Sequence, residues 1–129
     1  MRVNVLHHAS CFDGAASSSI FTAFYRARVR SDAEFTYIPK QHRPGNPFVA
    51  TDFDADEVAI LDFRYTKTRG LVWFFDHHKS SFQLEGEREH FLADESGRKF
   101  FDPPATAISI TMPVSGSGMT TSTLKNIHT

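Results

Sequence analysis

A chain of 129 residues has room for one domain with its own core, not two. Its 40% apolar, 13% aromatic and 22% charged residues are globular values, which excludes disorder throughout. The formal charge of −1, from 14 basic and 15 acidic residues, excludes a general grip on polyanions and leaves room for a local basic patch.

Residues 2–7 (RVNVLH) read as a short buried strand with Val3, Val5 and Leu6 as apolar positions. A turn follows at 9–14. The spacing predicts a helix from about Asp13 to Arg28, with Asp13 as N-cap and Ala16, Ile20, Phe24 and Ala27 as its buried face. Arg26, Arg28 and Arg30 suit the negative end of its dipole. Residues 34–38 (EFTYI) read as a second strand, and 40–47 (KQHRPGNP) as a loop. The apolar runs 58–63 (VAILDF) and 71–75 (LVWFF) fit strands buried on both faces, the parallel-sheet pattern. Seven residues, Arg64 to Gly70, separate them, whereas a parallel crossover usually needs roughly a dozen or more. This is the weakest joint of an α/β assignment. Beyond it, 79–84 reads as a helical turn, 85–89 as charged surface, and Phe100-Phe101 as the last aromatic contact.

Composition breaks near residue 105. Residues 105–129 contain no Asp, Glu or aromatic residue, and ten of the 25 are Ser or Thr, so a flexible polar tail is expected beyond a domain at 1–104. Cys11 is the single cysteine, which excludes internal disulfides and thiolate-clustered zinc. No apolar run approaches the roughly 18 residues of a membrane span. The N-terminal MRVNVLHHAS lacks the long apolar stretch of a secretory signal. A cytoplasmic protein without a membrane partner is expected.

Acids and histidines gather where strands end. His7-His8 close the first strand and Asp13 follows its turn; Asp62 closes a later strand; Asp76-His77-His78 close the next; Asp102 follows the last. Ligands of open α/β sheets bind outside the carboxyl ends of strands. Carboxylates and imidazoles gathered there without thiolates suit Mn²⁺ or Mg²⁺, and a central aspartate can bridge two ions. Taken singly, Asp62 and Asp102 equally fit turn formers, and His42, His90 and His128 fit surface or satisfied core residues. Asp76-His77-His78, directly after five apolar residues, is costly to bury unless satisfied, and points to function by itself. Side chains alternate along a strand, so one of His7 and His8 faces the site; His8 is nearer the turn.

Asp76-His77-His78 resembles the signature of the DHH phosphoesterase superfamily. That group includes RecJ-type exonucleases, oligoribonucleases, cyclic-dinucleotide phosphodiesterases and manganese pyrophosphatases. Four blocks carry the resemblance in the family's order: VLHHASCFDGAAS at 5–17, ILDF at 60–63, FDHHKSS at 75–81 and FFDPP at 100–104. It implies a mainly parallel, Rossmann-like sheet flanked by helices, here a single truncated domain without the family's usual C-terminal one. It implies two Mn²⁺ or Mg²⁺ ions held by His8, Asp13, Asp62, His77 and Asp102, with Asp62 shared. Asp76 would be a ligand or orient its neighbours, acting with His78 in catalysis, and His78 would also meet a substrate phosphate. The reaction implied is hydrolysis of a phosphodiester or phosphoanhydride by a metal-activated water, on a phosphate-containing small molecule or short oligonucleotide. Cys11 stands where many members have the first of two aspartates. The alternative is a truncated relative that binds metal or nucleotide without turnover. Lys40, His42, Arg43, Lys79, Arg98 and Lys99 are candidates for phosphate contact or plain solvated surface.

Overall fold

The computed structural model describes residues 1–9 and 12–102, together with the backbone of 109–114 and 118–123. Cys11 and the side chains of the Ser/Thr-rich tail lie outside the described residues. The apolar runs form strands: β1 (Arg2–His8), β2 (Glu34–Lys40), β3 (Glu57–Leu61), β4 (Leu71–Asp76) and β5 (Lys99–Phe101). They build one sheet in the order β2-β1-β3-β4-β5, with every neighbouring pair parallel. The α/β class with a parallel sheet is therefore correct. Two further strands, β6 (Ser109–Val114) and β7 (Gly118–Thr123), pair antiparallel in a sheet of their own. Among the described residues, no helix is long and apolar enough to cross a membrane.

A strand buried on both faces divides its side chains between two cores. Val3 and Val5 of β1, Ala59 and Leu61 of β3, and Trp73 and Phe75 of β4 face helix α1 (Phe12–Arg28), meeting Phe21, Phe24 and Tyr25. Leu6, Val58, Ile60 and Phe74 face the other way, onto Phe48, Phe63 and Tyr65. Phe82, Phe91 and Phe101 complete this second core. Phe91 comes from helix α2 (Glu87–Leu92), whose first residues belong to the segment 85–89 that the sequence reads as charged surface. Glu87 is the reason the segment folds inward. Its buried carboxylate accepts from the backbone N–H groups of Gln83 and Leu84, both at 2.9 Å.

Helix α1 buries Phe24 as expected, but otherwise a different set of residues. Its buried residues are Asp13, Gly14, Ser17, Ser18, Phe21, Phe24 and Tyr25; Ala27 is exposed and Ile20 only partly buried. The small residues Gly14, Ser17 and Ser18 let the helix start tight against β1, and Ser18 Oγ donates to the Gly14 carbonyl at 2.8 Å. Asp13 sits in the first turn rather than capping it.

The short connection between β3 and β4 contains no helix. The two strands are direct parallel neighbours, with a register shift at Val58/Ala59. The loop covers the sheet with its own aromatics instead: Phe63 and Tyr65 are fully buried, and the Tyr65 N–H donates to the Ser81 carbonyl at 2.8 Å.

The side chain of Lys99, read from the sequence as a phosphate contact or solvated surface, is only 5% exposed. Its ammonium donates to Tyr65 Oη at 2.9 Å and pairs with Asp94 at 3.0 Å. Burial works against the Asp94 carboxylate, but hydrogen bonds from Ser96 and Lys99 outweigh it and lower the pKa from 3.8 to about 2. A depressed carboxylate contributes stability that is complete above its unfolded value and lost as pH falls through the folded one, here between about 4 and 2. That contribution is at most about 2 kcal/mol. Urea unfolding at pH 5 and pH 2.5 tests it: Asp94→Asn should lose less stability on acidification than the wild-type chain, and equal losses would refute the assignment.

Candidate metal centre

Because all five strands of the main sheet run parallel, their carboxyl ends share one edge. His8 ends β1, Asp62 follows β3, Asp76 ends β4 and Asp102 follows β5. The strand order reverses between β1 and β3, the kind of point at which open α/β sheets bind ligands. His8 and Asp62 flank it.

Asp62, Asp76, His77 and His78 offer one ligand atom each, all within 4.8 Å of one another. Asp62 is 1% exposed and adopts φ 57°, a left-handed conformation unusual for a residue with a Cβ. Its N–H donates to the Phe75 carbonyl at 2.8 Å, which ties the turn to β4. His77 Nε2 donates to Asp62 Oδ1 at 3.1 Å, while Asp62 Oδ2 is buried with no hydrogen-bond partner among the described residues. Asp76 is fully engaged. Oδ1 accepts from His78 Nδ1 at 2.6 Å and Oδ2 accepts from Ser81 Oγ. The two imidazoles stack with centroids 4.4 Å apart. Hydrogen bonding to Asp62 raises the pKa of His77 against the opposing effect of burial, and bonding to Asp76 does the same for His78.

Strand alternation decides between the two N-terminal histidines. His7 lies on the α1 side with Val3 and Val5, and lines a hollow with Ala15, Ser18 and Ser19. His8 shares the side of Leu6 and stacks on Phe63 at 6.3 Å. Its Nδ1 is buried and unpartnered among the described residues. His42, read from the sequence as a phosphate contact or plain surface, is part of this layer. Its ring lies 5.0 Å from His8, 4.6 Å from Phe63 and 6.4 Å from His78. Burial, followed by the positive charge of His8 and His78, holds its pKa below the ordinary 6.5.

The remaining expected ligands stand outside the four-residue group. Asp13 is buried in the first turn of α1, close enough for its charge to favour protonation of His78, after the larger effects of Asp76 and Asp62. Asp102 is exposed, and its N–H donates to the Asp76 carbonyl at 3.1 Å. Of the basic candidates, Lys40 is pinned to Asp52 at 2.8 Å, Lys99 to Asp94, and Arg98 lies over the Trp73 ring at 5.2 Å.

A divalent cation fits this arrangement. Two carboxylates and two imidazoles converge, no thiolate competes among the described residues, and Asp62 Oδ2 is a buried acceptor that a cation would satisfy. The cluster does not select among metals. Comparison with family models, with curated proteins and with solved structures found no match.

Proposed function

We propose that the chain is a metal-dependent phosphoesterase that hydrolyses a phosphodiester or phosphoanhydride bond in a nucleotide-type substrate. The observation that carries this reading is the buried, unpartnered Asp62 oxygen inside a convergent Asp/His group, at the switch point of a parallel sheet. Asp62 and His77 would hold one Mn²⁺ or Mg²⁺, with Asp76 a further ligand or the group that orients its neighbours. His8 and Asp13, with Asp62 shared, would hold a second, and Asp102 would complete the outer shell. Bound there, the ions would acidify a water and offset the negative charge of a phosphate.

The chain's own residues supply the rest. Asp76 fixes the orientation of His78 by accepting at Nδ1, which leaves Nε2 to meet a phosphate oxygen. The same bond keeps a proton on that imidazole more firmly than usual, as suits a donor to a phosphate oxygen. Ser81 occupies the second Asp76 oxygen and limits the freedom of that carboxylate.

Mn²⁺-dependent hydrolysis of a short RNA and of a bis-aryl phosphate tests the reading. Activity with Mn²⁺ that disappears in His77→Ala is expected. Mn²⁺ should also raise the melting temperature more than Ca²⁺ does, by mass action worth about 2.7 kcal/mol at a hundredfold excess over Kd. Mn²⁺ binding without turnover would instead assign the chain to a metal- or nucleotide-binding module. No thermal shift with any divalent ion would refute the metal centre itself.

A further inference from the structure

Tyr65 is fully buried in the connection between β3 and β4, and its hydroxyl meets two groups. One is Lys99 Nζ of β5 at 2.9 Å, the other His90 Nδ1 of α2 at 2.7 Å. Among the described residues it has no third polar partner. Lys99 can only donate, and it holds its charge: burial lowers its pKa, but the hydrogen bonds to Tyr65 and Asp94 outweigh that and leave it raised. Tyr65 Oη therefore accepts from Lys99. Burial raises the pKa of the Tyr65 hydroxyl above its ordinary 10 against the pull of Lys99, so the hydroxyl keeps its own proton. That proton has one acceptor within reach, His90 Nδ1. An imidazole that accepts at Nδ1 is neutral and carries its hydrogen on Nε2.

Protonation of His90 breaks this arrangement. Both ring nitrogens then donate, so Nδ1–H faces an oxygen that already accepts from an ammonium, and the Tyr65 proton loses its acceptor. A buried donor left without a partner is costly. His90 is exposed, so a proton reaches it from solvent. The neighbouring carboxylates, Glu87 three residues before it and Asp94 four after, favour a positive charge there, and the Lys99 ammonium opposes it. Glu87 is already engaged by the N–H groups of Gln83 and Leu84, and Asp94 by Ser96 and Lys99. Glu89 and Arg88 are exposed, with Arg88 over the Phe82 ring, and Lys67 donates to the Glu85 carbonyl. Helix α2 has only six residues, too few to persist without tertiary contacts. Its aromatic anchor is Phe91, packed on Phe82 at 5.2 Å and on Tyr65 at 5.9 Å.

We infer that His90 is a pH-operated latch: neutral, it ties α2 to the core through the Tyr65 hydroxyl, and on taking up a proton it releases the helix. The release falls where imidazoles titrate, at about pH 5–7. Asp94 stays ionised throughout that range, with its pKa lowered to about 2, and cannot produce the same response. The latch lies where the chain leaves the metal centre. Tyr65 donates its N–H to the Ser81 carbonyl, and the Ser81 hydroxyl donates to Asp76. The inference needs neither a bound metal nor the phosphoesterase reading.

Amide hydrogen exchange of the metal-free chain at pH 7.5 and pH 5.5, followed by NMR, reads the latch directly. The reporters are the N–H groups of His90, Ala93 and Asp94, which close α2 onto the carbonyls of Gly86, Glu89 and Phe91. Their protection, corrected for intrinsic exchange, should fall about tenfold on acidification relative to the amides of β1 and β3. His90→Asn keeps an acceptor near the place of Nδ1 and has no proton to gain, so its α2 protection should be the same at both pH values. Tyr65→Phe should show lowered protection already at pH 7.5 and little further loss at pH 5.5. His77 and His78 also titrate, and both are intact in His90→Asn. An equal fall in that variant and in the wild type would therefore assign the response to them and overturn the proposal. Nitrogen NMR shifts of His90 in the wild-type chain at pH 7.5 give a check that needs no variant, should a substitution fail to fold. A hydrogen on Nε2 and none on Nδ1 is expected, and a hydrogen on Nδ1 would overturn the proposal.

Discussion

Asp62→Asn should abolish the Mn²⁺-induced thermal shift and any metal-dependent turnover, while leaving the metal-free protein as stable as the wild type or more so. The two halves of this expectation have separate causes. Metal binding needs the negative charge of a carboxylate that is buried and only half satisfied. Loss of an outer-shell partner alone weakens metal sites by about 10–100-fold, so loss of a central ligand should cost at least about a hundredfold in affinity. Folding, in contrast, needs a residue that tolerates φ 57°. Asn visits the left-handed region readily, and its carbonyl oxygen still accepts from His77 Nε2. Asn also removes a buried charge that faces Asp76 across the cluster. Asp62→Ala should lose the metal as well, but with an added backbone cost of about 1–2 kcal/mol, because a Cβ without a polar group disfavours this conformation. Thermal unfolding with and without Mn²⁺ separates the two effects. A full Mn²⁺ shift in Asp62→Asn would remove the metal centre from consideration.

How Asp62 comes to be buried also explains what was legible in the sequence. The runs 58–63 and 71–75 announce strands covered on both faces, and a parallel sheet puts their ends on one edge. Asp62 and Asp76-His77-His78 could therefore be placed together before any coordinates. The short 64–70 connection is the weak joint of that arrangement, since a parallel crossover usually needs roughly a dozen residues or more. The structure removes the conflict with side chains: Phe63 and Tyr65 occupy the layer where a crossover helix would lie. Periodicity failed on α1 for a related reason. It ranks residues by hydrophobicity, whereas this helix buries Gly14, Ser17 and Ser18 because they are small. His42, Arg64 and Glu87 carry no pattern at all. Each is a single polar residue in a loop or a short helix, and its burial follows from chain segments that meet only in three dimensions.

Gly14→Ala should destabilise the chain by about 1–3 kcal/mol and weaken Mn²⁺ binding, although Gly14 lies inside a helix. Helix propensity alone predicts the opposite, a gain of about 0.5–1 kcal/mol. The clash decides the sign. A Cβ at residue 14 would lie 2.5 Å from the His8 carbonyl oxygen and 3.3 Å from the His8 nitrogen. Both are backbone atoms of β1, the strand that pairs with β2 on one side and β3 on the other, so they cannot yield as a flexible side chain would. The start of α1 must therefore lift away from the end of β1. Asp13 and His8, which flank this contact, would move apart, and with them the side of the centre proposed to hold the second ion. Urea unfolding of the metal-free protein gives the first effect and Mn²⁺ titration the second. Higher stability with unchanged Mn²⁺ affinity would show that the helix start is free to adjust, and that its close approach to β1 does not position the site.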